Sequence, residues 1–253
     1  MHTRGRNVMH GLAAAALVSV TLFGYACSGG GTSDEPPAPN TLTRAEREAG
    51  WRLLFDGATT AGWRGYNADS FPAQGWEVRD GSLVTVEGGG GGDIVTEEEF
   101  GDFELSLEFK ITPGANSGIF FGAIDQPGKP MWASAPEYQI LDDSAYVADG
   151  TDMTRHLTAQ NYDLHASSEQ ALKPMGEWNV ARIVVRRPHV EHWLNGVKMV
   201  EYELGSPEWE ALVAESKFAV YPEYGRAASG HIGLQDHGTE VSFRNIKIRP
   251  LGP

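Results

Sequence analysis

The chain has 253 residues, 41% of them hydrophobic, enough to bury the core of one large domain. Its formal net charge of −14 argues against nucleic acid or an anionic lipid surface as a partner, because so acidic a surface repels both. Thirty-one glycines, fourteen prolines and seven tryptophans, with few helical patterns, exclude a helical bundle and favour an all-β fold of short strands joined by turns.

The first predicted element is an export signal. Arg4 and Arg6 precede an apolar run, Leu12 to Phe23, too short to span a bilayer but suited to a signal peptide. GYAC follows, ending in Cys27, the only cysteine, which has no internal disulfide partner. SGGGTSDEPPAPN comes next, with the composition of a flexible tether. The arrangement resembles a bacterial lipoprotein signal, in which the thiol is acylated, although Gly24 stands where that motif usually has Leu. Residues 1–27 are therefore expected to be a signal peptide with lipidation at Cys27, 28–42 a tether, and 43–253 a single exported domain. Contact with the cell envelope is expected through the lipid anchor alone.

Thr43-Arg-Ala-Glu46 is a capping box and predicts a short helix. Trp76 to Gly88 alternates on either side of Asp80-Gly81, a strong hairpin signal. The run Gly88 to Gly92 has no Cβ for side-chain packing to hold, so a mobile loop is expected. In FELSLEFKI, Phe103, Leu105, Leu107, Phe109 and Ile111 share one face and must be buried. Asn179 to Arg187 and His189 to Leu204 are further strands, the latter folded at Asn195-Gly196, and Pro207 opens a second helix. The sum is a two-sheet jelly-roll β-sandwich with one or two short helices.

Three strands combine small residues with polar ones on one face. In HIGLQDH, Ile232 and Leu234 fall opposite His231, Gly233, Gln235 and His237, and Gly233 leaves space beside the backbone. In APEYQILDD, Glu137, Gln139 and Leu141 oppose Tyr138, Ile140 and Asp142, and in NSGIFFGA, Asn116, Gly118 and Phe120 oppose Ser117, Ile119 and Phe121. With Trp132, Tyr138 and Trp193 as aromatic shelves, such strands suit a sugar, whose hydroxyls need amide and carboxylate partners. The Glu-x-Asp-x-x-Glu strand of sandwich glycosidases is absent, as are a Gly-x-Ser-x-Gly elbow, a cysteine nucleophile and a phosphate loop. His189 and His192, three apart on a strand, point to opposite faces and make a poor metal pair.

LLFDGATTAGW, WEVRDGSL, FGDFELSLEFKITPGANSGIFF, PEYQILDD, NYDLH, KPMGEWNVARIVV, VEHWLNGVKMVEYE and SGHIGLQDHGTEVSFRNIKIRPL together resemble the 3-keto-disaccharide hydrolase family from about Gly50 to Leu251. The resemblance implies a concanavalin A-like sandwich with substrate on its concave sheet. It also implies cleavage of 3-keto-glycosides by C2 proton abstraction, elimination of the aglycone and hydration of the resulting glycal. An oxidoreductase upstream has to supply the keto group. Such chemistry needs a base, an acid and a stabiliser of the enolate oxygen. Glu137, His237 and Asp142 are the catalytic candidates; Asn116, Gln139, Gln235, His192, Trp193 and Asp236 are the candidates for substrate contact. A divalent metal ion is a suitable enolate stabiliser, with no ligands assigned. Gly122 stands where relatives often carry Arg after NSGIFF, so either the position or class of the substrate differs or another residue, such as Arg155 or Arg226, replaces that charge. The alternative to an enzyme is a non-catalytic carbohydrate-binding module, in which Glu137 need not titrate.

Overall fold

The structure, a computed structural model, describes residues 37–148, 150 and 152–252; the signal segment, Cys27 and most of the tether lie outside the described residues. Helix α1 (Arg44–Glu48) leads into β1 (Arg52–Leu53), β2 (Trp63–Gly65), β3 (Trp76–Arg79), β4 (Ser82–Thr85), β5 (Ile94–Phe100), β6 (Phe103–Ile111), β7 (Asn116–Ala123) and β8 (Glu137–Leu141). After α2 (Asp143–Ala148) come β9 (Asn179–Arg186), β10 (His189–Leu194), β11 (Val197–Glu203), α3 (Pro207–Glu215), β12 (Gly230–Leu234) and β13 (Val241–Pro250). No described helix is long and apolar enough to cross a membrane.

Two antiparallel sheets form the expected sandwich. One runs β11-β10-β9-β6-β13-β4-β3 with β1 added on β13, and the other β2-β5-β12-β7-β8. The apolar face of β6, from Phe103 to Ile111, packs against Ile119, Phe121, Tyr138, Ile140, Ile232 and Leu234 of the smaller sheet. All of these are nearly solvent-free, as the alternation requires. The opposite face of β6 is polar: Glu104 accepts from Arg182 and Arg249. Asp80-Gly81 and Asn195-Gly196 both turn with positive φ at each residue, the geometry that matches the twist of a two-residue hairpin.

The Thr43 capping box forms in both directions, and Ser206 caps α3 with Pro207 in its first turn. Helix α2 was not expected, since six residues carry no periodic stripe; its signal is Asp142, whose carboxylate accepts from Ser144 Oγ and Ala145 N.

The glycine run differs from expectation. Asp236 accepts from the amides of Gly91 (2.9 Å) and Gly92 (3.1 Å), Trp76 Nε1 donates to Gly92 O, and Gly88 N donates to Gly238 O. The missing Cβ atoms let main chain meet main chain: a Cβ on Gly91 would stand 2.5 Å from Gln74 O. The loop is held through its backbone where side chains are absent.

Candidate active site

The outer face of the smaller sheet carries the polar residues that alternation places together. Register sets Gly118 opposite Gln139, Asn116 opposite Leu141 and Glu137 opposite Phe120, while β12 runs along the other edge of β7. Gln139 Nε2 donates to Asn116 Oδ1 at 3.2 Å, and Gln235 N donates to Gly118 O at 3.0 Å. The amide oxygens of Gln139 and Gln235 are buried without a partner among the described residues. Orphaned acceptors of this kind are costly unless a water or a ligand hydroxyl donates to them.

Glu137 opens β8, the last strand of this sheet, and is 4% exposed. Its side chain occupies the space over Gly118, where a Cβ would stand 2.9 Å from Cγ and 3.0 Å from Cδ. Burial pushes its carboxyl up to about 8; the cation of Lys217 pulls downward and the charge of Asp93 adds to the rise. Asp93 itself is pushed up to about 6 by burial, against a hydrogen bond from Asp236 N and with the Asp236 charge adding to the rise. Gly233 is similarly filled from within the protein: Met131 packs over it, with Cε 2.8 Å from a Cβ position. The expected opening beside Gly233 is therefore closed, and Met131, Phe120, Val95, Ala123 and Ala135 form a small apolar cluster there.

Segments distant in sequence complete the wall. Asn161 bridges to the edge of β8 away from β7 at Tyr138, and Tyr162 N donates to Glu137 O. Ser216 ends α3 in an extended conformation and caps the following turn, Lys217–Val220, by accepting from Phe218 N. That turn places Lys217 Nζ over the rings of Tyr162 at 4.2 Å, Trp132 at 4.8 Å and Phe218 at 5.2 Å. Desolvation there lowers the Lys217 pKa, against the pull of the Glu137 and Asp163 charges. Lys217, Tyr162 and Asp93 were not singled out in the sequence, because none belongs to a strand whose alternation marks it.

Other expected site residues lie elsewhere. His192 is fully buried between the sheets, its Nε2 3.0 Å from Tyr202 Oη and Nδ1 3.2 Å from Ala159 O. Burial pushes its pKa down to about 3, so it is a neutral core histidine, not a substrate contact. Trp193 is one residue further along β10 and so faces the outside of the larger sheet, donating to Glu191 and stacked by Arg182. Tyr138, expected as a shelf, points into the core. Asp142, expected as a catalytic group, serves the backbone instead: it accepts from Gly114 N and caps α2, and these hydrogen bonds outweigh desolvation and lower its pKa. Asp236 is turned toward the glycine loop. His237 is exposed on the turn after β12.

Arg155 lines a hollow with His165 and Glu201, and Arg226 pairs with Glu210, so neither stands beside Gly122. The neighbour there is Arg187, whose Nη2 lies 3.7 Å from a Cβ position. Among the described residues, the three-membered group of His and carboxylates within metal-ligand reach is His189, Glu191 and Glu201, on β10 and β11 of the larger sheet. Lys198 already pairs with both of those glutamates. The polar face around Glu137 has no such triple.

A buried carboxyl among amides on the outer face of the smaller sheet is the arrangement the strand pattern implied. A family model described as a 3-keto-alpha-glucoside-1,2-lyase-like domain matches residues 50–249. The chain belongs to this family. A 3-keto-disaccharide hydrolase of Bacteroides thetaiotaomicron is 37% identical over 230 residues, covering 80% of this chain and 79% of that protein. Among solved structures, one named as a candidate glycosyl hydrolase from Parabacteroides distasonis superposes with a TM-score of 0.76 at 30% identity, covering 85% of this chain and 100% of the other. A second from the same organism gives 0.62 at 28%, covering 79% and 99%. The family match includes every segment that builds the site, from Asp93 to Gln235.

Proposed function

We propose that this member of the 3-keto-alpha-glucoside-1,2-lyase-like family cleaves 3-keto-glycosides by elimination and hydration, with Glu137 carrying the proton. The observation that supports this most strongly is the Glu137 carboxyl itself: buried, pushed up to about 8, and packed over Gly118 on the face that also carries two unpartnered amide oxygens. A keto group at C3 acidifies the C2 hydrogen, because the electron pair left behind delocalises onto the C3 oxygen. Glu137 as carboxylate takes that proton. The enolate then re-forms the ketone, the C1–C2 double bond appears, and the C1–O bond breaks with its electron pair on the aglycone oxygen. The same carboxyl, now protonated, hands its proton to that oxygen. Water adds to C1 in the second half, its proton passing through Glu137 to C2, so that the net reaction is hydrolysis. Asn116, Gln139 and Gln235 orient the ring hydroxyls.

The test is incubation with a 3-keto-disaccharide, following the conjugated glycal by ultraviolet absorbance and the free 3-keto-sugar by chromatography. Because only the ionised carboxyl abstracts the proton, kcat/KM is expected to rise with pH and level off above about 8. A protein that yields neither product from any 3-keto-glycoside, or a profile flat across that range, sinks the assignment.

Export with acylation at Cys27 belongs to the same proposal, supported by the Arg4/Arg6, apolar and GYAC succession. Cells given labelled palmitate are expected to label the protein, and Cys27→Ala to remove the label; equal labelling of both forms counts against a lipid anchor. An exported enzyme needs an oxidoreductase acting at C3 of a glycoside to supply its substrate.

A further inference from the structure

We infer that Lys217 is a catalytic residue of this site, whose ammonium receives the negative charge that develops on the C3 oxygen as the C2 proton leaves. The inference rests on the elimination reading above. Its first support is position. The ammonium lies over Tyr162, Trp132 and Phe218, on the wall beside Glu137, and Tyr162 is tied by its backbone to the same glutamate. The turn that carries it is fixed at both sides: Ser216 Oγ accepts from Phe218 N, and Lys217 N donates to Asp163 Oδ2 at 3.3 Å.

The second support is how the charge is held. Aromatic faces attract a cation through their quadrupole but do not occupy its N–H donors as a carboxylate does. The arginines next to the smaller sheet are occupied: Arg64 pairs with Asp125, and Arg187, beside Gly122, pairs with Asp102. Lys217 is thus held against the rings while its exposed ammonium keeps donors available to an oxygen.

The third support is the charge balance of the step. Before abstraction the negative charge sits on the Glu137 carboxylate; afterwards Glu137 is neutral and the charge is on the C3 oxygen. The charge of Lys217 favours the ionised form of Glu137 and would equally favour an anionic C3 oxygen, so the charge moves within its field and not out of it. Proton acceptor and enolate stabiliser then act as one unit, although 80 residues of chain separate the two positions.

The experiment uses 1-deoxy-3-keto-glucose, which enolises but has no leaving group at C1. Exchange of its C2 hydrogen in deuterium oxide, followed by proton NMR at saturating ligand, reports the step in question alone. The wild-type protein is expected to catalyse exchange. Lys217→Met is expected to slow the saturated rate by ~10²–10³-fold, the cost of losing one preorganised donor to a developing oxyanion, with Kd for the same ligand changed only a few-fold. Lys217→Arg should recover part of the rate. Thermal melts of Lys217→Met and of the more polar Lys217→Gln check folding, and the folded variant is the one scored. Exchange by that variant at the wild-type rate overturns the role of Lys217, as does a loss confined to Kd, and both leave Glu137 as the proton carrier. Absence of C2 exchange in the wild-type protein overturns the elimination reading beneath it.

Discussion

Replacing Glu137 with Gln is expected to lower turnover of a 3-keto-disaccharide by ~10²–10⁴-fold while making the protein more stable at alkaline pH. The two effects have one origin. Gln keeps the shape and the packing over Gly118 but neither takes nor gives up a proton, so both halves of the reaction stop. For stability, the folded-state pKa of Glu137 is raised from 4.5 to about 8. The folded protein therefore retains a proton that the unfolded chain has lost between those values, and the stabilisation this represents is complete at the acid end and lost as pH rises through about 8. A neutral Gln has no such loss. The melting temperature of Glu137→Gln relative to wild type should accordingly climb between about pH 4.5 and 8 and level off above that. A variant that melts below wild type at every pH points to a structural carboxylate, and one that keeps turnover removes Glu137 from the mechanism. Sugar affinity should survive the change, so a protein that binds tightly and never turns over is a carbohydrate-binding module.

The second large effect is expected at Gly118. An added Cβ would stand within 3.0 Å of both Cγ and Cδ of Glu137 and closer still to a carboxylate oxygen. The buried Glu137 side chain has no free room to yield: Gly118 lies beneath it, and β8, which carries it, is paired on both sides. Gly118→Ala should displace the carboxyl by a few tenths of an ångström to an ångström, a misplacement that costs ~10²-fold in kcat. The affinity for a 3-keto-sugar should change less, because Asn116 and Gln235 are untouched. Gly101→Ala is the control, since its Cβ would meet nothing closer than Ala228 O at 3.7 Å. Equal kcat in the two variants would show that the close approach of strand and carboxyl has no catalytic consequence.

Much of this site was legible in the strands. Period-two alternation sets Asn116, Gly118, Glu137, Gln139 and Gln235 on the face opposite Ile119, Tyr138, Ile140, Ile232 and Leu234, and the structure keeps that division at each of these positions. Local turn chemistry was equally legible at Asp80-Gly81, Asn195-Gly196 and the Thr43 capping box, because those geometries depend on residues within four positions of one another. Alternation does not tell which sheet a strand joins. His192 and Trp193 belong to β10 of the larger sheet, so one is core and the other lies on the wrong outer surface. Nor does a glycine say what occupies the space it leaves: Met131 fills it at Gly233 and Glu137 at Gly118.

By itself the sequence determined the all-β class, the division of each strand into core and polar faces, and the membership of Glu137, Gln139, Asn116 and Gln235 in one surface. The tertiary structure alone decided that Asp236 serves the glycine loop, that Asp142 caps a helix, and that Lys217, Tyr162 and Asp93 surround Glu137. The reason is range. Backbone periodicity and turn geometry act between neighbours along the chain, whereas the burial that shifts the Glu137 carboxyl, and the rings that Lys217 lies over, come from segments brought together only when the two sheets and their loops close.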